Sequence, residues 1–199
     1  MEAAGRDVHC PITGSDDTVL LVSYDQCITS DSQLVNANVE NRISRASGLV
    51  YNASGARGGE KGFYTDEYDF LSESVLSEWK VFDSSGQGEG LYHQIVDFID
   101  SGIALPRKGR ILDIGCGKGL LLKRFSEKYP DWELCAIEPS KNAKAFFEEV
   151  MPKVSLYDGN FEDSPYINQT FDLVTASGVL EHVPKPVQFL ELFIPLSSK

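Results

Sequence analysis

The pattern of hydrophobic and polar positions changes near the middle of the chain. From about Lys108 onward, short apolar runs alternate with segments in which apolar residues recur every three or four positions. Short apolar runs are typical of buried strands, whereas the longer period is typical of helices that pack on a sheet. The second half is therefore predicted to be an α/β domain with a parallel sheet.

Four strands and three helices are predicted in this half. The strands cover residues 110–114, 133–138, 154–157 and 171–176. The apolar faces of the helices carry, in order, Leu121, Leu122, Phe125 and Tyr129; Ala143, Phe146, Phe147 and Val150; and Val187, Leu190 and Ile194, with Pro186 starting the last helix. Right-handed crossovers place such strands side by side and bring ligands to their carboxyl ends.

The first half carries weaker signals. Two short strands are predicted at 18–23 and 49–51, and glycines predict a mobile loop at 53–62. Apolar residues at helical spacing predict a helix over 64–82, a break at 83–90 and a second helix from Leu91 to Gly102. This organisation predicts an N-terminal α+β or helical module (1–82), a linker with a helix (83–107) and a ligand-binding domain (108–199).

Charge indicates which partners the protein is not expected to bind, and apolar content indicates its cellular compartment. The formal net charge is −12, from 18 basic and 30 acidic residues. Nucleic acids and anionic membranes attract basic surfaces, so neither is expected as a partner. The sequence has neither an apolar run long enough to span a bilayer nor a signal-peptide pattern at its start, which predicts a cytoplasmic protein. No two of the four cysteines form a C-x-x-C pair, so free thiols are expected.

The clearest chemical signal is ILDIGCGKG at residues 111–119, where a predicted strand runs into three glycines and then a helix. Glycine lets the backbone turn sharply and lets a ligand approach, while the helix N-terminus attracts negative groups. The spacing does not fit G-x-G-x-x-G, because Leu120 stands at the last position, and it lacks the Gly-Lys-Ser/Thr ending of nucleoside-triphosphate loops. A dinucleotide-dependent oxidoreductase is therefore disfavoured.

The segment DIGCGKG resembles motif I of class I S-adenosylmethionine-dependent methyltransferases, and further motifs follow in the order of that family. The resemblance covers residues 108–196 and implies a Rossmann-like α/β fold, with S-adenosylmethionine as cofactor and S-adenosylhomocysteine as product. It implies that Glu138 holds the ribose hydroxyls and that Asn160 or Phe161 faces the adenine. The implied cofactor-binding residues are Asp113, Gly115, Cys116, Gly117, Gly119, Glu138, Pro139, Asn160, Phe161, Ser177 and Gly178.

FDLVTASGVLEHVPKP, at 171–186, resembles the fourth-strand motif of the small-molecule branch of this family. The resemblance places Glu181 and His182 near the site of transfer. Imidazole titrates near neutral pH, so His182 is the candidate general base; the alternative is that it braces the loop by hydrogen bonding. Asp113 is expected to orient the glycine loop and the ammonium group of the ligand.

A second resemblance lies near the N-terminus. HCPITGS, SRASGLVY and GFYTDEY resemble a zinc-knuckle module that precedes some sugar methyltransferases. Cys10 keeps its place, whereas Thr13, Ser44 and Ser47 stand where cysteines are expected. Hydroxyls are poor zinc ligands, so we predict a degenerate module without metal.

The predicted sheet has about four strands, fewer than the seven of a complete class I domain. The chain therefore resembles one truncated after the fourth strand, whose edge is unpaired unless a second copy, a partner chain or the chain itself covers it. The predicted function is methyl transfer to a small-molecule or sugar acceptor. The alternative is an inactive cofactor-binding or interaction module derived from such an enzyme. The acceptor and the methylated atom are not readable from the sequence.

Overall fold

The computed structural model describes residues 8–28, 33–54, 80–82, 84–183 and 185–196. The chain forms two compact units, one of residues 1–68 with 180–191 and one of residues 69–179 with 192–199. The predicted boundaries at 82 and 107 are not tested by this division and stay predictions. Within the described ranges, no helix has the length and apolar character needed to cross a bilayer.

The first unit contains a three-stranded antiparallel sheet. Its strands are β1 (Thr18–Ile28), β2 (Leu34–Ser44) and β3 (Val50–Asn52), in the order β1-β2-β3. Both predicted strands of this region are present, but β1 is longer than the predicted 18–23, and β2 was not predicted. Polar residues such as Asn36 and Asn38 interrupt the apolar pattern of β2, so its pairing with β1 forms it rather than local propensity.

The second unit begins with a hairpin and a helix. Strands β4 (Lys80–Phe82) and β5 (Gly88–Gly90) pair in antiparallel fashion, and α1 (Leu91–Gly102) follows as predicted. The prediction that Phe82 ends a helix is wrong. Gly86 has a φ of +80°, which suits a tight turn, and the turn lets the flanking residues pair across it. The remainder of that predicted helix, 64–79, and most of the predicted loop, 55–62, lie outside the described residues.

A four-stranded parallel sheet is the centre of the second unit. It consists of β6 (Arg110–Ile114), β7 (Glu133–Ile137), β8 (Ser155–Tyr157) and β9 (Leu173–Thr175), with α2 (Leu120–Lys128) and α3 (Ala143–Val150) as connecting helices. Consecutive residues of β6 and β7 are buried, so both faces of the central strands are covered, as in parallel α/β sheets. The predicted Rossmann-like α/β fold is confirmed.

The strand order is β8-β7-β6-β9. The chain therefore proceeds from β6 to β7 and β8 on one side, then crosses to the other side of β6 to form β9. Such a reversal opens a crevice outside the carboxyl ends of the two strands that flank it, and ligands of open α/β sheets bind there. In this sheet the crevice lies between β6 and β9.

The last helix, α4 (Pro186–Phe193), begins at the predicted proline, but its predicted inward face is wrong. Phe189 is buried, whereas Val187 and Leu190 are more than a third exposed and Ile194 is two-thirds exposed. The chain tightens into a 3₁₀ turn at Ile194–Leu196. Phe189 and Leu196 are seven residues apart, about two helical turns, so the buried face passes through them rather than through Val187, Leu190 and Ile194.

Candidate cofactor site

The loop between β6 and α2 is a tight turn anchored to β7. Gly115, Gly117 and Gly119 all have positive φ angles, of +66°, +53° and +69°. The amides of Gly115 and Cys116 both donate to the carbonyl of Ile137, at 2.8 and 3.1 Å. The loop is thus held over the carboxyl ends of two neighbouring strands, and the N-terminus of α2 opens at the same edge.

The three glycines serve different physical needs. A Cβ at Gly115 would lie 2.6 Å from the Val179 side chain, and one at Gly119 would lie 2.9 Å from the ring of Phe147. A Cβ at Gly117 would meet nothing within 4 Å. Gly115 and Gly119 therefore allow close packing behind the loop, whereas Gly117 leaves open space in front of it, where a ligand can approach the backbone.

Glu138, directly after β7, faces this loop from the next strand. Its side chain is buried, and one carboxylate oxygen accepts from the Gly117 amide at 2.8 Å. The other oxygen accepts from the amide and the hydroxyl of Ser140. These donors orient the carboxylate and occupy three of its roughly four lone-pair sites, and the oxygen that accepts from Gly117 keeps one site for a ligand hydroxyl. The role of Ser140 was not predicted, although a serine two residues after a carboxylate is a common local hydrogen-bonding pattern.

Asp113 lies on β6 at the crevice and is almost fully buried, with 3% of its surface exposed. Thr175 on β9 is its register partner, and the Thr175 hydroxyl donates to Asp113 Oδ1 at 2.7 Å. Burial raises the pKa of Asp113 to about 7; the Thr175 hydrogen bond opposes this rise, and the Glu138 charge adds to it. Thr175 was not predicted as a site residue, although a hydroxyl within the apolar run of β9 is a readable signal.

The remaining residues of the predicted cofactor site lie on the same edge of the sheet or in the loops that follow it. Cys116 is half-buried, and burial raises the pKa of its thiol well above the usual value, so the thiol is neutral. Asn160 is exposed before the 3₁₀ turn Phe161–Asp163, whereas Phe161 is buried. Ser177 and Gly178 form an exposed turn after β9, and Pro139 is half-buried beside Glu138.

His182 ends the 3₁₀ turn Leu180–His182, which belongs to the first compact unit. Its side chain is half-buried. The glycine loop, Asp113 and Glu138 belong to the second unit. The role of His182 as a general base therefore stays a prediction.

The four positions of the predicted knuckle lie on two matching turns of the first unit. In each turn a residue's carbonyl accepts from the amide four residues later, Cys10 from Gly14 and Ser44 from Gly48, both at 2.8 Å. Gly14 and Gly48 have φ angles of +68° and +73°. We call residues 10–14 and 44–48 the turn pair. Cys10 Sγ and Ser47 Oγ lie 3.3 Å apart, so the turn pair brings these side chains together.

The donor set of the turn pair does not fit zinc. The four positions hold one thiol and three hydroxyl side chains, and hydroxyls are not among the usual ligands of structural zinc. Burial opposes ionisation of Cys10, but hydrogen bonds from the Ser47 and Thr13 side chains and from the amides of Thr13 and Ile12 outweigh it and lower the pKa of Cys10 to about 6. Hydrogen bonds thus hold the sulfur in this turn.

Residues 112–193 match the family described as a methyltransferase domain. An uncharacterised methyltransferase of Schizosaccharomyces pombe is 33% identical over 97 residues, which cover 43% of this chain and 35% of that protein. A ubiquinone biosynthesis O-methyltransferase of Colwellia psychrerythraea is 31% identical over 137 residues, or 60% of this chain and 54% of that protein. The chain thus spans about a third to a half of the length of these curated relatives.

A solved structure shares the fold. Coclaurine N-methyltransferase, bound to N-methylheliamine and S-adenosylhomocysteine, superposes with a TM-score of 0.53 and 20% identity over 66% of this chain and 40% of that one. Residues 112–193 thus match a methyltransferase domain, and the chain shares its fold with a solved methyltransferase; the methyl donor of such enzymes is S-adenosylmethionine.

Proposed function

We propose that the chain binds S-adenosylmethionine at the carboxyl edge of β6, β7 and β9, and that the protein transfers its methyl group to a small-molecule or sugar acceptor. The observation that carries this proposal is the space in front of Gly117. The loop there has a backbone that only glycine adopts without strain, with nothing within 4 Å of a Cβ. A relative named for ubiquinone biosynthesis supports a small organic acceptor.

The proposed contacts follow the chemistry of the side chains. Glu138 is a buried carboxylate at a strand end, and it suits the two ribose hydroxyls because it accepts hydrogen bonds. Asp113, at the crevice, suits the cationic amino group of the methionine part. Asn160 or Phe161 is proposed for the adenine, and Ser177 and Gly178 for the methionine part.

The chemistry asks the protein mainly for alignment. The cofactor supplies a methyl group that is already activated on a sulfonium sulfur, so no covalent intermediate with the chain is needed. The chain's own contribution is to fix the donor at the glycine loop, to exclude water and to orient the acceptor for an in-line attack. If the acceptor is a hydroxyl, His182 is the proposed base.

Calorimetric titration of the 199-residue chain with S-adenosylhomocysteine tests the cofactor site. We expect binding by the wild type and a loss of about tenfold or more in Gly117→Ala, because its Cβ enters the ligand space. Gly86→Ala is the matched control. Gly86 also has a positive φ and open space around it, so it carries the same backbone strain but lies in the β4–β5 turn. No binding by a folded wild-type chain would overturn the proposal.

The alternative is a cofactor-binding or interaction module without transfer activity. The degenerate pattern of the predicted knuckle favours it, because only one of the four expected ligand positions holds a thiol. Binding of S-adenosylhomocysteine is expected under both hypotheses. Transfer of a radiolabelled methyl group to pooled small-molecule extracts separates them, since an inactive module binds the cofactor but labels nothing.

A further inference from the structure

Two buried carboxylates lie at the carboxyl edge of the sheet, and they differ in the number of hydrogen-bond donors that they have. Glu138 accepts from three donors, the Gly117 amide and the amide and hydroxyl of Ser140. Asp113 accepts from the Thr175 hydroxyl alone among the described residues. A buried carboxylate needs either a cation or several donors to remain charged. Asp113 thus has too few partners for its degree of burial.

The position of Asp113 suggests which group supplies the missing partner. It lies on β6, beside the reversal of strand order, and Thr175 reaches it from the neighbouring strand β9. A cationic ligand group that arrives there would supply the missing partner. The titratable groups that face Asp113 are Glu138, from the end of β7, and Cys116, from the glycine loop. A second carboxylate and a neutral thiol both disfavour charge on Asp113, so neither replaces a cation.

We propose that Thr175 is a positioning residue that holds the Asp113 carboxyl for the cationic amino-acid end of the cofactor, and that cofactor binding displaces a proton from Asp113 to solvent. The inference rests on the proposed cofactor site. The ligand ammonium stays protonated, the Asp113 O–H bond breaks, and the proton passes to the buffer, so charge and atoms balance. Thr175 donates to one carboxylate oxygen, which leaves the other for the ligand.

Burial raises the pKa of Asp113 to about 7, and the Thr175 hydrogen bond opposes that rise. At pH 6 most of the chain therefore carries the proton and must lose it when the ligand binds. At pH 8 the carboxylate is already formed. Affinity should thus increase by about fivefold between pH 6 and pH 7, and by about tenfold in all between pH 6 and pH 8, where it levels off.

The test is calorimetric titration of the 199-residue chain with S-adenosylhomocysteine at pH 6, 7 and 8, in two buffers of different ionisation enthalpy at each pH. The difference between the binding enthalpies observed in the two buffers gives the number of protons released. We expect nearly one proton released at pH 6 and few at pH 8. Thr175→Val should weaken binding at pH 7 by about three- to tenfold and move the plateau of affinity to higher pH, and Thr175→Ser should restore the wild-type profile.

The outcomes separate the inference from the function on which it rests. Binding with no proton release at pH 6 and the same affinity at all three pH values would overturn the inference but not the cofactor site. A Thr175→Val chain that binds less tightly by the same factor at every pH would show a merely structural role for Thr175 and would also overturn it. No binding by a folded wild-type chain would overturn the proposed function and, with it, this inference.

Discussion

At the scale of single residues, the site combines groups that are costly to the fold. Asp113 is buried, has one neutral hydrogen-bond donor and lies near a second carboxylate. A glycine with positive φ at 117 loses more backbone entropy on folding than another residue would. Such costs concentrate where a ligand later supplies the missing partner, and this is why they are informative about function.

Asp113→Asn is therefore expected to stabilise the chain at neutral and alkaline pH. The pKa of Asp113 in the folded chain is about 7, above the ordinary value of 3.8, so the folded state binds more protons than the unfolded state between these values. The contribution of Asp113 to wild-type stability should thus fall as pH rises from about 4 to about 7. The Asp113→Asn chain lacks this dependence, and its free energy of unfolding should exceed that of the wild type by on the order of 4 kcal/mol at pH 8.

Urea unfolding of the wild type and of Asp113→Asn at pH 5 and pH 8 measures this difference. Asp131→Asn is the matched control, because it is the same substitution at an exposed site and should leave the pH dependence unchanged. If Asp113→Asn raised the free energy of unfolding by the same amount at both pH values, the prediction would be contradicted.

At the scale of elements, the amino ends of the parallel strands are joined by Arg110. Its guanidinium pairs with both carboxylate oxygens of Glu133 on β7, at 2.9 and 3.1 Å, and donates to Gln169 before β9 at 3.0 Å. It also lies 4.7 Å from the centre of the Phe171 ring. One planar side chain thus connects three segments of the sheet, opposite the edge that holds the glycine loop.

Arg110→Lys should lower the free energy of unfolding by about 1–2 kcal/mol, because an ammonium cannot make the bidentate pair and stack on the ring together. The control is Arg124→Lys. Arg124 pairs with Glu127 within one helix, three residues away, and such pairs contribute about 0.2–0.5 kcal/mol. Chemical denaturation of both variants measures the difference, and equal losses would show that the connection between strands adds nothing.

The turn pair is the second feature at this scale. The wild type has one thiol among the four positions and should carry no stoichiometric zinc by elemental analysis. The spacing itself suits a metal, because Cys10 Sγ and Ser47 Oγ lie 3.3 Å apart and two sulfurs bound to one zinc ion lie about 3.8 Å apart, given bonds of about 2.3 Å. The variant with Thr13→Cys, Ser44→Cys and Ser47→Cys should bind about one equivalent of Co²⁺ and show the visible absorption of a tetrahedral thiolate site.

Adding Cys10→Ser to that variant is the control, and it should weaken or abolish the Co²⁺ spectrum. Zinc bound to the wild type at one per chain and released only by a chelator would contradict the prediction of a metal-free module. A triple variant that folds but gives no cobalt spectrum would show that the two turns do not have the geometry of a metal site.

At the scale of the whole molecule, the net charge of −12 sets the electrostatics. Self-repulsion between acidic groups opposes the compact state, and salt screens it. The midpoint of thermal unfolding should rise by roughly 2–4 °C between 10 and 150 mM NaCl at pH 8, a change of about 1 kcal/mol. The increase should shrink at pH 5, near the isoelectric point of about 4.6. A midpoint that falls with salt would show that surface ion pairs outweigh the repulsion.

Local sequence was sufficient for much of the second unit. The strand–glycine–helix order around residues 110–128, the strand at 133–137 and its carboxylate are encoded by neighbours in the chain, where periodicity and glycine chemistry act directly. The antiparallel strands were harder to predict. Strand β2 in the first unit and the hairpin of β4 and β5 in the second form through pairing with partners that no local pattern identifies, so these three strands were not predicted and Phe82 was assigned to a helix.

The sequence by itself determined the fold class, the glycine loop and the position of Glu138, because each depends on residues within a few positions of one another. Only the tertiary structure decided which glycine leaves space for a ligand and which partner holds Asp113. Val179 closes the space behind Gly115, and Thr175 reaches Asp113 from 62 residues away. Strand order brings these residues together. The chain encodes that order through burial of whole strand faces rather than through any local motif, and this is the physical reason why the glycine loop and the strand-end carboxylate were predictable and their partners were not.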